Sequence, residues 1–155
     1  MNVLMVTSEC APFIKTGGLA DVAGALPGAL APLGIDLRTM LPAYPALMPL
    51  VARGTEVASF GDLPGGPGRV VQVEAEGLTL LLLDAPQLFD RRGGPYSHEG
   101  GHDWNDNHRR FASLAQAAAR KVTALEVAKV DSVTITITGV DFTMNRGAPR
   151  GSARY

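Results

Sequence analysis

The feature that most constrains this fold is an apolar strand that leads, through a glycine turn, into a helix. Val3-Leu4-Met5-Val6 is a continuous apolar run, the pattern of a strand buried on both faces of a parallel sheet. Thr7 to Thr16 reads as a loop containing Pro12. Beyond Lys15-Thr16-Gly17-Gly18, the residues Leu19, Val22, Ala23, Leu26, Leu30 and Leu33 fall at helical spacing. Pro27 and Pro32 each remove a backbone donor and are expected to kink or end that helix, with Gly34 as its stop. Ile35 to Leu41 reads as a second strand, followed by the proline-punctuated loop Pro42-Ala43-Tyr44-Pro45. This β–loop–α–β order predicts an α/β fold, the first unit of a doubly wound sheet that binds ligands at the carboxyl ends of its strands.

The turn itself carries chemistry. A helix start leaves backbone N–H groups unpaired, and together with the positive end of the helix dipole these form a site for an anion. Lys15 adds a full positive charge, so the local chemistry suggests a phosphate-bearing ligand. Asp21 lies one helical turn beyond the glycines, faces the same space and can accept hydrogen bonds from hydroxyls. A cation and an acceptor at a helix N-terminus suit a ligand with both phosphate and sugar. The segment is neither a P-loop nor a G-x-G-x-x-G fingerprint. The competing reading is a strand–helix turn that needs glycine for its backbone angles, with Lys15 a solvated charge.

Further along, Val70 to Val73 and Leu78 to Leu83 read as strands joined across Glu76-Gly77, and Pro64-Gly65-Gly66-Pro67-Gly68 as a surface loop. Arg91 to Asp103 is a long polar loop. Asp106 to Arg120 reads as a helix with Phe111, Leu114, Ala115 and Ala118 on one face, and Trp104 and Phe111 as core or helix-docking residues. Ser132 to Val140 alternates Val133, Ile135 and Ile137 with Thr134, Thr136 and Thr138, as in a strand with one face toward water. Asn145 to Tyr155 is expected to be frayed.

With 155 residues, 46% of them hydrophobic, the chain can build one domain with a real core. A formal net charge of −1 gives no electrostatic footprint for nucleic acid or an anionic membrane. No apolar run reaches membrane-spanning length, and the first fifteen residues lack the pattern of a signal peptide. The single cysteine, Cys10, excludes an internal disulfide and reads as inert. A cytoplasmic location is the expectation.

His98-Glu99-Gly100-Gly101-His102 formally matches the zinc-protease pattern H-E-x-x-H, with His108 at the spacing of a third ligand. That chemistry needs both histidines on one helix face. Two intervening glycines, each costing a helix interior about 1 kcal/mol, argue for a polar loop instead. A zinc hydrolase is therefore a remote alternative.

Several segments carry a resemblance in order and spacing. They are Val6-Thr7-Ser8-Glu9 with Pro12, Lys15 to Val22, Ala25-Leu26-Pro27 and Leu41 to Pro45. They continue with Asp90-Arg91, Gly94-Pro95-Tyr96, Asp106-Asn107 and Arg110-Phe111. Over Met1 to about Arg120 the chain closely resembles the N-terminal end of bacterial glycogen synthases and plant starch synthases. The resemblance implies the Rossmann-like N-terminal lobe of a two-lobe glycosyltransferase, which transfers glucose from ADP-glucose to the non-reducing end of an α-1,4-glucan with retention. It also implies roles: Lys15 on the diphosphate or sugar, Gly17 and Gly18 at the same turn, with backbone donors from Gly18, Asp21 on glucose hydroxyls, and Tyr96 lining the donor-sugar pocket. No cofactor or metal is implied, and no catalytic residue is assigned.

The family's His-x-His-Asp-Trp motif and second lobe do not follow Arg120. Residues 1–120 are therefore expected to be a partial lobe, and residues 121–155 a divergent tail with one strand that caps a sheet edge. The chain alone is expected to be inactive; the alternative is a non-catalytic lobe that binds ADP-glucose or glucan.

Overall fold

A computed structural model describes the backbone of residues 1–124, 130–137 and 140–145, and the side chains of residues 1–120. The first strand is β1 (Asn2–Val6), and the glycine turn feeds α1 (Gly18–Leu30) and a short 3-10 turn, Ala31–Leu33. Next come β2 (Asp36–Pro42), α2 (Met48–Arg53), β3 (Thr55–Leu63), β4 (Gly66–Ala75) and β5 (Leu78–Asp84). The short α3 (Pro86–Phe89) and the long α4 (Asn107–Ala124) precede β6 (Val130–Ile137) and β7 (Val140–Asn145). Among the described residues the strands form one sheet in the order β3-β4-β5-β2-β1-β6-β7. Its centre, β5-β2-β1-β6, is parallel, and an antiparallel hairpin extends each side.

The parallel centre explains the continuous apolar runs. Leu4, Met5 and Val6 of β1, Met40 and Leu41 of β2, and Leu80 to Leu83 of β5 are all buried, because connections cover both faces of such strands. β4 and β5 join through Glu76 (φ 49°) and Gly77 (φ 74°), two positive-φ residues whose twist matches that of the flanking strands.

The α1 helix departs from expectation in two ways. Pro27 lies inside it, and the helix continues to Leu30. Packing holds the turn despite the lost donor: Ala20 and Ala23 are buried, and an added Cβ on Gly24 would meet the Ala11 carbonyl oxygen at 2.4 Å. The buried face is therefore the small-residue one, whereas Val22 and Leu33 of the apolar periodicity are 60% and 72% exposed. Gly34, at φ 74°, ends the helical path by capping the 3-10 turn that follows α1.

Three further differences concern strands. β3 escaped the sequence reading because its exposed and half-buried residues carry neither a clean alternation nor an apolar run. The expected loop over Pro64 to Gly68 is a tight turn, and β4 already starts at Gly66. The expected strand Ser132–Val140 divides into β6 and β7, paired antiparallel from Ser132↔Asn145 to Ile137↔Val140. β6 lies parallel to β1, with Leu4 opposite Val133, so it covers that edge of the central sheet. The face of β6 toward water, and the frayed end expected for residues 146–155, lie outside the described residues.

On α4, Phe111, Leu114 and Ala118 are buried and Ala115 is half-buried, as the periodicity predicts. Arg110, on the same helix, is fully buried as well.

Candidate functional site

The site lies at the carboxyl end of β1, where the loop to α1 meets the loop between α3 and α4. Its organising group is Glu9, which is only 3% exposed. Glu9 Oε2 accepts the Thr16 N–H at 2.6 Å and the Gly17 N–H at 3.3 Å. The Thr16 hydroxyl lies 2.9 Å from both carboxylate oxygens, and the Tyr96 hydroxyl donates to Oε1 at 2.9 Å. Burial alone would raise the Glu9 pKa. The hydrogen bonds from the Thr16 amide and hydroxyl, from Tyr96 and from the Gly17 amide more than reverse that, and hold it below the ordinary 4.5.

Lys15 and Asp21 sit outside this buried knot. Lys15 Nζ donates to Asp21 Oδ1 at 2.7 Å, and the two side chains are 55% and 56% exposed. No side chain caps α1. Gly17 is extended, with φ −157° and ψ −166°, so the turn does not need glycine there for a positive φ. An added Cβ on Gly17 or Gly18 would meet no atom within 4 Å. The glycines therefore keep open space over the first amides of α1. The reading that they serve the backbone angles fails for Gly17.

Tyr96 is held from behind. Its carbonyl accepts from Asn107 Nδ2 at 2.8 Å and from the Trp104 N–H at 3.0 Å, and its ring lies 5.9 Å from that of Phe111. The buried Arg110 donates to the carbonyls of Leu88 and Pro95, each at 2.8 Å, and to Asn107 Oδ1 at 2.7 Å. Its guanidinium lies 5.2 Å from the Phe89 ring centre, and burial lowers its pKa. Arg91 forms a two-pronged pair with Asp106, at 2.9 and 2.7 Å, that closes the base of the same loop.

Of the sequence-derived residues, Lys15, Gly17, Gly18 and Asp21 share one exposed corner. Tyr96 joins them through Glu9, with its hydroxyl also 2.6 Å from Ser8 Oγ. Sequence reasoning missed Glu9 and Arg110 as organisers. Both stood in the quoted segments, yet a charged residue in a loop or on a helix reads as solvated until its burial is known. A cavity of about 450 Å³ opens beside this corner, lined by Ile14, Tyr44, Pro45, Arg91 and Glu99 among others. A second, of about 530 Å³, lies by the far antiparallel edge at Arg53, Gln72 and Glu74, and no site residue lines it.

The zinc-protease geometry does not form. His98 to His102 is a turn closed by the His98 N–H on the His102 carbonyl at 3.0 Å, with Gly101 at φ 78°, while His108 lies on α4. Its histidines therefore do not share a helix face. Cys10 is buried, and burial pushes its thiol up to about 11, so the reactive thiolate is scarce at neutral pH. Among the described residues, no helix is long and apolar enough to cross a membrane.

The family model described as starch synthase catalytic domain matches residues 2–135. The chain belongs to that family. The glycogen synthase of Roseobacter denitrificans is 60% identical over 119 residues, covering 77% of this chain and 25% of that protein. The glycogen synthase of a Jannaschia species is 61% identical over 118 residues, with 76% and 25% coverage. Among solved structures, the catalytic domain of starch synthase IV from Arabidopsis thaliana, bound to ADP and acarbose, aligns with a TM-score of 0.62 at 26% identity. That alignment covers 86% of this chain and 27% of the other. The mixed α/β fold is thus that of the family's catalytic domain, and the chain spans about a quarter of the length of the glycogen synthases it matches.

Proposed function

We propose that residues 1–120 form the N-terminal wall of an ADP-glucose site, in an enzyme that extends α-1,4-glucans by retaining glucosyl transfer in the cytoplasm. Lys15 turns from Asp21 to the diphosphate, and the first amides of α1, starting at Gly18, face the same group, with Gly17 leaving open space beside them while its own amide stays on Glu9. Asp21, so released, takes glucose hydroxyls, and Tyr96 bounds the sugar. Breaking the sugar–phosphate bond builds negative charge on the departing ADP. A cation and N–H donors brought against it stabilise that charge more strongly in the transition state than in the ground state.

The observation that carries this reading is the open space at Gly17 and Gly18, beside Lys15 and over an uncapped helix start. This lobe's own packing does not require glycine at either position, and a ligand backed against the amides does. Sequence identity above one half to two glycogen synthases supports the choice of ADP-glucose and glucan.

Calorimetric titration of the chain with ADP-glucose tests the reading, with Lys15→Ala as control. Weak binding that the control loses is expected; binding indifferent to Lys15 overturns the assignment. A single wall cannot exclude water or complete the transition-state contacts, so no transfer of labelled glucose into glycogen is expected from these 155 residues alone.

A further inference from the structure

Glu9 holds a buried negative charge, and among the described residues no ion pair includes it. Its neutral donors come from two segments far apart in sequence: the amides of Thr16 and Gly17 on one side, the phenol of Tyr96 on the other. Each segment has its own anchor. The turn continues into α1, while Tyr96 is fixed through Asn107 and through Arg110 on the Pro95 carbonyl. Their shared carboxylate makes each side sense the other, because hydrogen bonds on one buried carboxylate polarise it and so change what it offers the rest.

We propose that Glu9 is a positioning residue that couples Tyr96 to the Thr16–Gly17 turn through its carboxylate. On the ADP-glucose reading above, which this last step rests on, Glu9 links the sugar wall to the diphosphate turn. A shift of Tyr96 on the sugar then changes how firmly the turn amides are held.

Glu9→Gln is nearly isosteric and tests the charge rather than the volume. Its amide still accepts the turn N–H groups on one oxygen, and its NH2 faces a Tyr96 hydroxyl that turns its proton to Ser8. Amide NMR of the unliganded chain gives the first readout. Tyr96→Phe should move the Thr16 and Gly17 amide resonances in the wild-type background, and much less in Glu9→Gln. Unmoved resonances, or equal movement in both backgrounds, overturn the coupling. Should Glu9→Gln fail to fold, Tyr96→Phe alone decides by the same two resonances.

ADP-glucose titration gives the second readout. Each single variant should weaken binding about tenfold, and the double variant about tenfold rather than a hundredfold. Additive losses overturn the link between the sugar and diphosphate ends. A wild-type chain that binds no ADP-glucose removes the ligand reading, and the amide resonances still decide the coupling.

Discussion

Lys15 and Asp21 are ion-paired at 2.7 Å across the mouth of the glycine turn, both more than half exposed. An exposed pair of this kind is worth about 0–1 kcal/mol, so an anionic ligand can take the lysine from it at little cost. Asp21→Asn should therefore separate the two ends of the ligand. Affinity for ADP should hold or rise by up to about fivefold, because Lys15 no longer has a competing carboxylate. Affinity for ADP-glucose should fall about tenfold or more as charge-assisted bonds to the sugar are lost. Parallel calorimetric titrations check this; equal losses for both ligands would show that Asp21 acts on the diphosphate end.

The glycines divide by what surrounds them. Gly17→Ala and Gly18→Ala meet no atom, so the thermal midpoint should stay within a degree or two, while ADP-glucose binding falls. Gly24→Ala gains helix propensity of about 1 kcal/mol but drives a methyl into the Ala11 carbonyl at 2.4 Å. The clash wins, and a net loss of about 1–2 kcal/mol in denaturant melts is expected.

Arg110 supports the loop that carries Tyr96. Arg110→Met should cost about 2–4 kcal/mol, because the Leu88 and Pro95 carbonyls lose a charged donor. Relief from burying a guanidinium offsets part of that cost and sets the upper end of the range. Trypsin should then cut faster after Arg91 or Arg92 in the loosened loop, which peptide mapping reads directly. An unchanged cleavage rate would place the loop's restraint in the Arg91–Asp106 pair instead.

Acid should weaken the Glu9 knot in a defined direction. The folded-state pKa of Glu9 lies below 4.5, so its contribution is fully present above that value and is lost as pH falls through the folded pKa. Glu9→Gln should therefore lose stability at neutral pH and show a shallower decline below pH 4.5 than the wild type. Urea melts at neutral and acid pH provide the comparison. Parallel curves would place the acid sensitivity in other carboxylates, with Asp106, held low by its Arg91 hydrogen bonds, the first to examine.

The sequence by itself determined the first strand of the parallel centre, because a strand covered on both faces reads as an unbroken apolar run, as Val3–Val6 does. It also determined the hairpin at Glu76-Gly77, the helix after the glycine pair and the residues at its mouth, since these follow from local backbone chemistry. The segments from Val6-Thr7-Ser8-Glu9 to Arg110-Phe111 were enough to indicate the family. Only the tertiary structure decided that Pro27 stays inside α1 and that small residues, not Val22 or Leu33, face the core. Close approach at Gly24 outweighs local propensity there. The tertiary structure likewise decided that Glu9 and Arg110 are buried, and that Tyr96 meets the turn through a carboxylate 87 residues away. Whether a charge is solvated or buried depends on which distant segments fold over it, and no local pattern records that.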